Sequence, residues 1–226
     1  MEPTTIIQTR KKLQAPNMIR KVLLFCGIVS SLLYVGTDIL GGMLWKGYSF
    51  TSQAISELGA IGSPVRPLVA PFFTIYVVLV IAFGLGVLGS AGQNRALGVT
   101  GGLLIVIGLV GLAWTPFPMH LGEPVSSPAN TMHSIFAGVQ VLFILLTIGF
   151  GAIAYRNWFR LYSIGTILTL LVAGVVMFGL AASGQHPLTP PWFGVIERIN
   201  VYGYLLWVLM LSIVLLREEK KPGAFR

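Results

Sequence analysis

Six apolar runs fill most of this chain, at about residues 22–45, 68–90, 97–117, 133–155, 161–183 and 199–216. Each is close to the ~20 residues that cross a hydrocarbon core of about 30 Å. No water is present at that depth to satisfy a bare peptide group, so each run must close its hydrogen bonds within itself as a helix. The expected fold class is therefore all-α: a polytopic membrane bundle of six transmembrane helices. Charge agrees, since 10% of residues are Asp, Glu, Lys or Arg, against about 25% in soluble domains. The 27 glycines suit helices that approach closely in lipid. The first run is too long for a signal-peptide core and no A-x-A-like cleavage site follows it, so it reads as a retained helix.

The cations set the orientation. Arg10, Lys11, Lys12, Arg20 and Lys21 precede the first run, Arg95, Arg156 and Arg160 lie in two short connections, and Arg217, Lys220, Lys221 and Arg226 close the chain. The opposite connections hold only Lys46, Arg66 and Arg198. The positive-inside rule then puts both termini in the cytoplasm of a multi-pass protein of the plasma (inner) membrane. Residues 1–21 and 217–226 become basic cytoplasmic segments flanking a bundle at 22–216. The net charge of +8 is thereby a matter of topology and implies no nucleic-acid partner. No Gly-rich phosphate loop is present, so no nucleotide is expected. The single cysteine, Cys26, excludes an intrachain disulfide and reads as packing.

Polar residues concentrate on the outward side. Asp38 falls about two turns inside the outer end of the first run, where an ionised acid is costly. Tyr34, Ser31 and Gly27 share its face, so this stripe is expected to look into the bundle. It reads equally as a structural hydrogen bond or as an acid, ligand or proton site. His133 is expected at the mouth of the fourth helix, above Gln140 and Thr147 on one face. It is either a solvated cap or a base. His120, Glu123 and His186 lie in outward loops, and Glu197 and Arg198 are expected to open the sixth helix, with side chains that diverge. Zinc takes converging His and carboxylate ligands, which makes His120 and His133 weak candidates, but no H-x₃-H or HExxH spacing occurs. Nothing in the sequence names a cofactor.

The first outward loop is the most patterned. In "TSQAISELGAIGSPVRP", Thr51 or Ser52 can cap a short interfacial helix at 53–58 that Gly59 ends. Ser63-Pro64 reads as the start of the next helix. Such a stretch is expected to wall or cover an outward polar pocket.

"ISELGAIGSPVRP", followed by "TPFP", "SSPANTMH" and "GVIERI" in order, resembles a prokaryotic membrane family catalogued as domain of unknown function 998. The segment is also similar, more distantly, to one in the eukaryotic DRAM proteins and the post-GPI-attachment lipid-remodelling proteins. The resemblance implies six membrane helices without an assigned activity and singles out Ser56, Glu57, Gly59, Pro64, His133, Glu197 and Arg198. Where the family tends to Pro-x-Asp after the third helix, this chain has Pro118-Met119-His120.

Three functions are then open. The first handles or modifies membrane lipid from an outward-facing polar pocket, with Glu57, Asp38 and His133 as acid–base or ligand groups. In it, Ser56, Arg66, Glu197 and Arg198 bind substrate, Arg198 through a head-group phosphate. The second is a small-solute or ion transporter. The third is a structural or partner-binding membrane protein whose polar residues only hold the bundle together. The sequence leaves the oligomeric state open.

Overall fold

The computed structural model describes residues 3–124, 126–182 and 191–219. Among these are seven helices: α1 (Pro3–Leu44), α2 (Ile55–Leu58), α3 (Arg66–Ser90), α4 (Arg95–Trp114), α5 (Pro128–Ala154), α6 (Trp158–Ala182) and α7 (Phe193–Glu218). All but α2 contain a stretch long and apolar enough to cross a membrane, that of α1 being Met18–Leu44. The architecture is thus the all-α, six-span bundle that the apolar runs dictate. Residues 183–190, including His186, lie outside the described residues.

The six long helices form a ring in chain order. Each packs on the next, and α7 closes the ring against α1. One end, here the terminal end, carries the tight turns at 91–94 and 155–157 and the close of α7. The other, the loop end, carries 45–65 and 115–127. Small residues bring α3 and α4 together: a Cβ on Gly101 would stand 2.6 Å from the backbone nitrogen of Leu88. Lipid offers no hydrophobic drive to helix pairing, so such close packing and interhelical hydrogen bonds must supply it. The α1–α7 seam shows the second. Ser31 donates to the Leu205 carbonyl at 2.9 Å, and Ser212 donates to that of Leu24 at 2.6 Å. Trp207 fills the centre, fully buried, with its Nε1–H on Ser163 Oγ at 2.9 Å.

Several boundaries differ from the sequence reading. Helix α5 starts at Pro128, with Ser127 accepting from Asn130 N–H as its cap, so His133 sits inside the helix and not at its mouth. Helix α7 starts at Phe193, which places Glu197 and Arg198 in its second turn. Helix α4 ends at Trp114, before Pro116. Helix α3 starts at Arg66, with Pro67 in its first turn. Ser63 lies just before the helix, its hydroxyl donating to the Leu58 carbonyl at 2.9 Å and accepting from Val65 N–H at 3.4 Å. The short helix is Ile55–Leu58, not 53–58, and ends at Gly59 as expected. The two loops of the loop end are stitched together at Ile61, whose N–H donates to Met119 O and whose carbonyl accepts from Leu121 N–H.

Candidate functional site

The loop end is organised around Arg198. A guanidinium has five N–H donors in a rigid fork, and here all five are used. Nε donates to Asp38 Oδ2 at 2.9 Å, and Nη2 donates to Asp38 Oδ1 at 2.8 Å and to the Tyr48 hydroxyl at 2.8 Å. Nη1 donates to the carbonyls of Phe50 at 2.8 Å and Gln53 at 3.0 Å, and reaches Gly194 O at 3.1 Å. The Phe50 ring lies 4.9 Å from the guanidinium carbon. One side chain of α7 thus grips α1 and the loop at once.

Asp38 is fully buried and Arg198 is 9% exposed. The carboxylate completes its shell with the Tyr202 hydroxyl, which donates to Oδ2 at 2.5 Å. A two-pronged pair supported by further bonds is what offsets the cost of burying charge. Burial pushes the Tyr48 phenol well above its usual range, against the opposing pull of Arg198. It therefore keeps its proton and donates to Ala54 O at 2.8 Å.

Glu57 works within its own loop. Its Oε1 accepts from Ala54 N–H at 2.9 Å, closing the first turn of α2, and its Oε2 accepts from Gln53 Nε2 at 2.9 Å. Gln53 in turn accepts from Ser49 N–H at 2.9 Å. Glu197 joins from α7, with Oε2 accepting from Ile55 N–H. A Cβ at Gly194 would run into the carbonyls of Gln53 and Phe50, so glycine is what lets the loop lie on α7.

Asp38, Glu57, Glu197 and Arg198 are therefore brought together, and His133 is not. His133 pairs with α4: Trp114 Nε1–H donates to its Nδ1 at 3.0 Å, with ring centroids 4.7 Å apart. His120 is elsewhere again, with Nδ1 2.9 Å from Glu123 Oε1. The Ser127 hydroxyl, and then His120, hold the exposed Glu123 carboxyl below its usual range. Among the described residues no group of three or more His, Cys, Asp or Glu could hold a metal ion, and His120 and His133 have the separate partners just named.

Two cations expected to bind substrate are also engaged. Arg198 keeps no N–H for a phosphate, and Arg66 gives Nη1 to the Gly59 carbonyl. Ser56 is half-buried on α2. The sequence did not point to Tyr48, Phe50, Gln53, Gly194, Asn130 or Tyr202. Asn130 binds the second loop through His120 N–H (2.9 Å) and the carbonyls of His120, Glu123 and Pro124. Its place three residues after the capping Ser127 was the available signal. For Tyr48 and Gln53 the sequence carried none, because their partner is an arginine about 150 residues away.

Neither a search of curated proteins nor a search of solved structures finds a match. A family model described as "Protein of unknown function (DUF998)" matches residues 28–214, which include Asp38, the whole of the first loop, Glu197 and Arg198. The chain therefore belongs to this DUF998 family of proteins of unknown function.

Proposed function

We propose that this membrane protein handles or modifies lipid at its loop end, with Glu197 as the working carboxylate. The observation that carries this reading is an inequality among three clustered acids. Asp38 and Glu57 each have both oxygens taken by protein donors. Glu197 has only Oε2 so engaged among the described residues. It is half-buried on a helix face that continues through Val201 and Tyr204 into the core. A carboxylate held by one backbone N–H, with its second oxygen to spare, suits proton transfer or a hydroxyl or cationic head group. The Asp38–Arg198 pair is then the frame that fixes it. The likeness of "ISELGA" to the lipid-remodelling proteins and the cation distribution support an outward-facing site with cytoplasmic termini in the inner membrane.

Glu197→Gln tests this, because the amide oxygen still accepts from Ile55 N–H. Purified protein in vesicles of native lipid extract, followed by lipid mass spectrometry, is expected to change lipid composition. The variant should lose ~10²–10⁴-fold of that rate with folding stability within about 0.5 kcal/mol. Equal rates in both would overturn the assignment. One observation favours the transporter reading as well: Tyr204 OH and Gln140 Oε1 are buried without a hydrogen-bond partner among the described residues, both near mid-helix. Flux of small polar solutes through the same vesicles decides between the two.

A further inference from the structure

The terminal end has a feature that the loop-end reading does not use. A recess of about 210 Å³ lies between α6 and α7, lined by Trp158, Val214, Arg217 and Glu218. Arg217 is exposed, and so are Arg156 and Arg160, which flank Trp158 in sequence. None of the three has an ion-pair partner among the described residues. The nearby acids are otherwise engaged, Glu219 with Arg20 at 2.6 Å and Glu218 by the Tyr155 hydroxyl at 3.2 Å.

The recess opens onto an apolar track. Ile199 and Arg217 are eighteen residues and so about five turns apart, as are Ile196 and Val214, which puts each pair on one face of α7. Trp158 and Val172 similarly share a face of α6. Along this seam, towards the loop end, lies a second cleft of about 400 Å³, lined by Leu168, Val172, Val176 and Ile199 among others. Leu161, three residues on from Trp158 in α6 and on the way to Leu168, is 71% exposed. From Trp158 to Leu168 is about 15 Å along α6, half of a ~30 Å hydrocarbon core and hence one leaflet.

An exposed arginine lining a recess at the membrane boundary, a tryptophan beside it with two further exposed arginines close in sequence, and an apolar track of one leaflet's length match one class of molecule. We propose that the terminal end of the α6–α7 seam binds an anionic glycerophospholipid. Its phosphate sits at Arg217, with Arg156 and Arg160 adding charge, and an acyl chain lies along Leu161 and Leu168. Basic pockets between transmembrane helices bind such head groups, and Trp158 fits the interfacial position of its side chain.

The test is lipid binding by the full chain in detergent, read by native mass spectrometry with phosphatidylglycerol, phosphatidylcholine and inorganic phosphate as probes. Phosphatidylglycerol should bind at least about five-fold tighter than phosphatidylcholine, and Arg217→Gln should remove about five-fold. Arg95→Gln, at an exposed cation of another turn at the same end, should change nothing. Trp158→Ala keeps the test open if Arg217→Gln fails to fold, and should weaken phosphatidylglycerol alone. Three results overturn the proposal: no preference between the lipids, an Arg95→Gln loss as large as that of Arg217→Gln, or full displacement by inorganic phosphate at equal concentration. Glu197→Gln should leave this binding unchanged, so a failure here and a failure at the loop end are told apart.

Discussion

At the scale of single residues, the load falls on Arg198 and Asp38. Breaking a buried pair from one side leaves a lone charge and costs about 3–5 kcal/mol. Arg198→Lys should cost nearly as much as Arg198→Ala, because an ammonium cannot reproduce the five-donor fork that binds Asp38, Tyr48 and two loop carbonyls. Thermal unfolding in detergent checks this, and equal stability of Arg198→Lys and wild type would refute it. His133→Ala removes the Trp114 hydrogen bond and the interaction with the Phe117 backbone, so it should cost about 1–2 kcal/mol. The sequence did mark Asp38 as a residue needing an explanation, since an acid at that depth is expensive. It did not name the partner, because Asp38 and Arg198 are 160 residues apart. Arg198 and Glu197 point apart as expected of helical neighbours, yet both point at the loop. The inference that placed His133 with them rested on a shared face of α5, and a face says nothing of which helix it meets.

At the scale of elements, the first loop is a clamp built from short-range and long-range parts. Within it, Glu57 closes α2 onto Ala54. Across to α7, Val195 N–H donates to Thr51 O at 3.3 Å, beneath carbonyls that come too near Gly194 for any side chain. Gly194→Leu should therefore lift the loop off α7, while Glu57→Ala should loosen only the turn, by roughly 0.5–2 kcal/mol. Hydrogen exchange separates the two. Amides of 49–59 should lose protection in Gly194→Leu while those in the middle of α3 keep theirs, and unchanged loop protection would show that the close approach is not what seats the loop. Element boundaries were less legible than element number. Hydropathy sees where lipid begins, whereas α5 and α7 start earlier, at a Ser-Pro cap and at Phe193. Ser63-Pro64 has the same look as that cap, yet the helix begins only at Arg66, with Ser63 bonded to Leu58 O and Val65 N–H in the turn before it.

At the scale of the whole molecule, an even number of spans returns the chain to the end it started from, so the start of the first span and the close of α7 share the terminal end. The apolar runs were enough to read this, because nothing else fits ~20-residue apolar segments into lipid. Ring closure was not readable, since the Ser31 and Ser212 contacts between α1 and α7 are single hydroxyls in apolar sequence. Charge predicts the side of the membrane on which each end lies. The exposed cations described at the terminal end are Lys21, Arg95, Arg156, Arg160 and Arg217, whereas Lys46 is exposed at the loop end. Dragging cations across an energised membrane is opposed by about 2.3 kcal/mol per charge per 100 mV, so the richer end should stay inside. Cys26, the only cysteine, allows a clean test. In a Cys26→Ala background, a membrane-impermeant maleimide added to intact cells should label Lys46→Cys and spare Gln93→Cys until the cells are opened. The reverse pattern would invert the protein. It would also move the Glu197 site to the cytoplasmic leaflet and the Arg217 recess to the outer one, where anionic lipid is scarcer in many membranes, and both ligand proposals would have to be recast together.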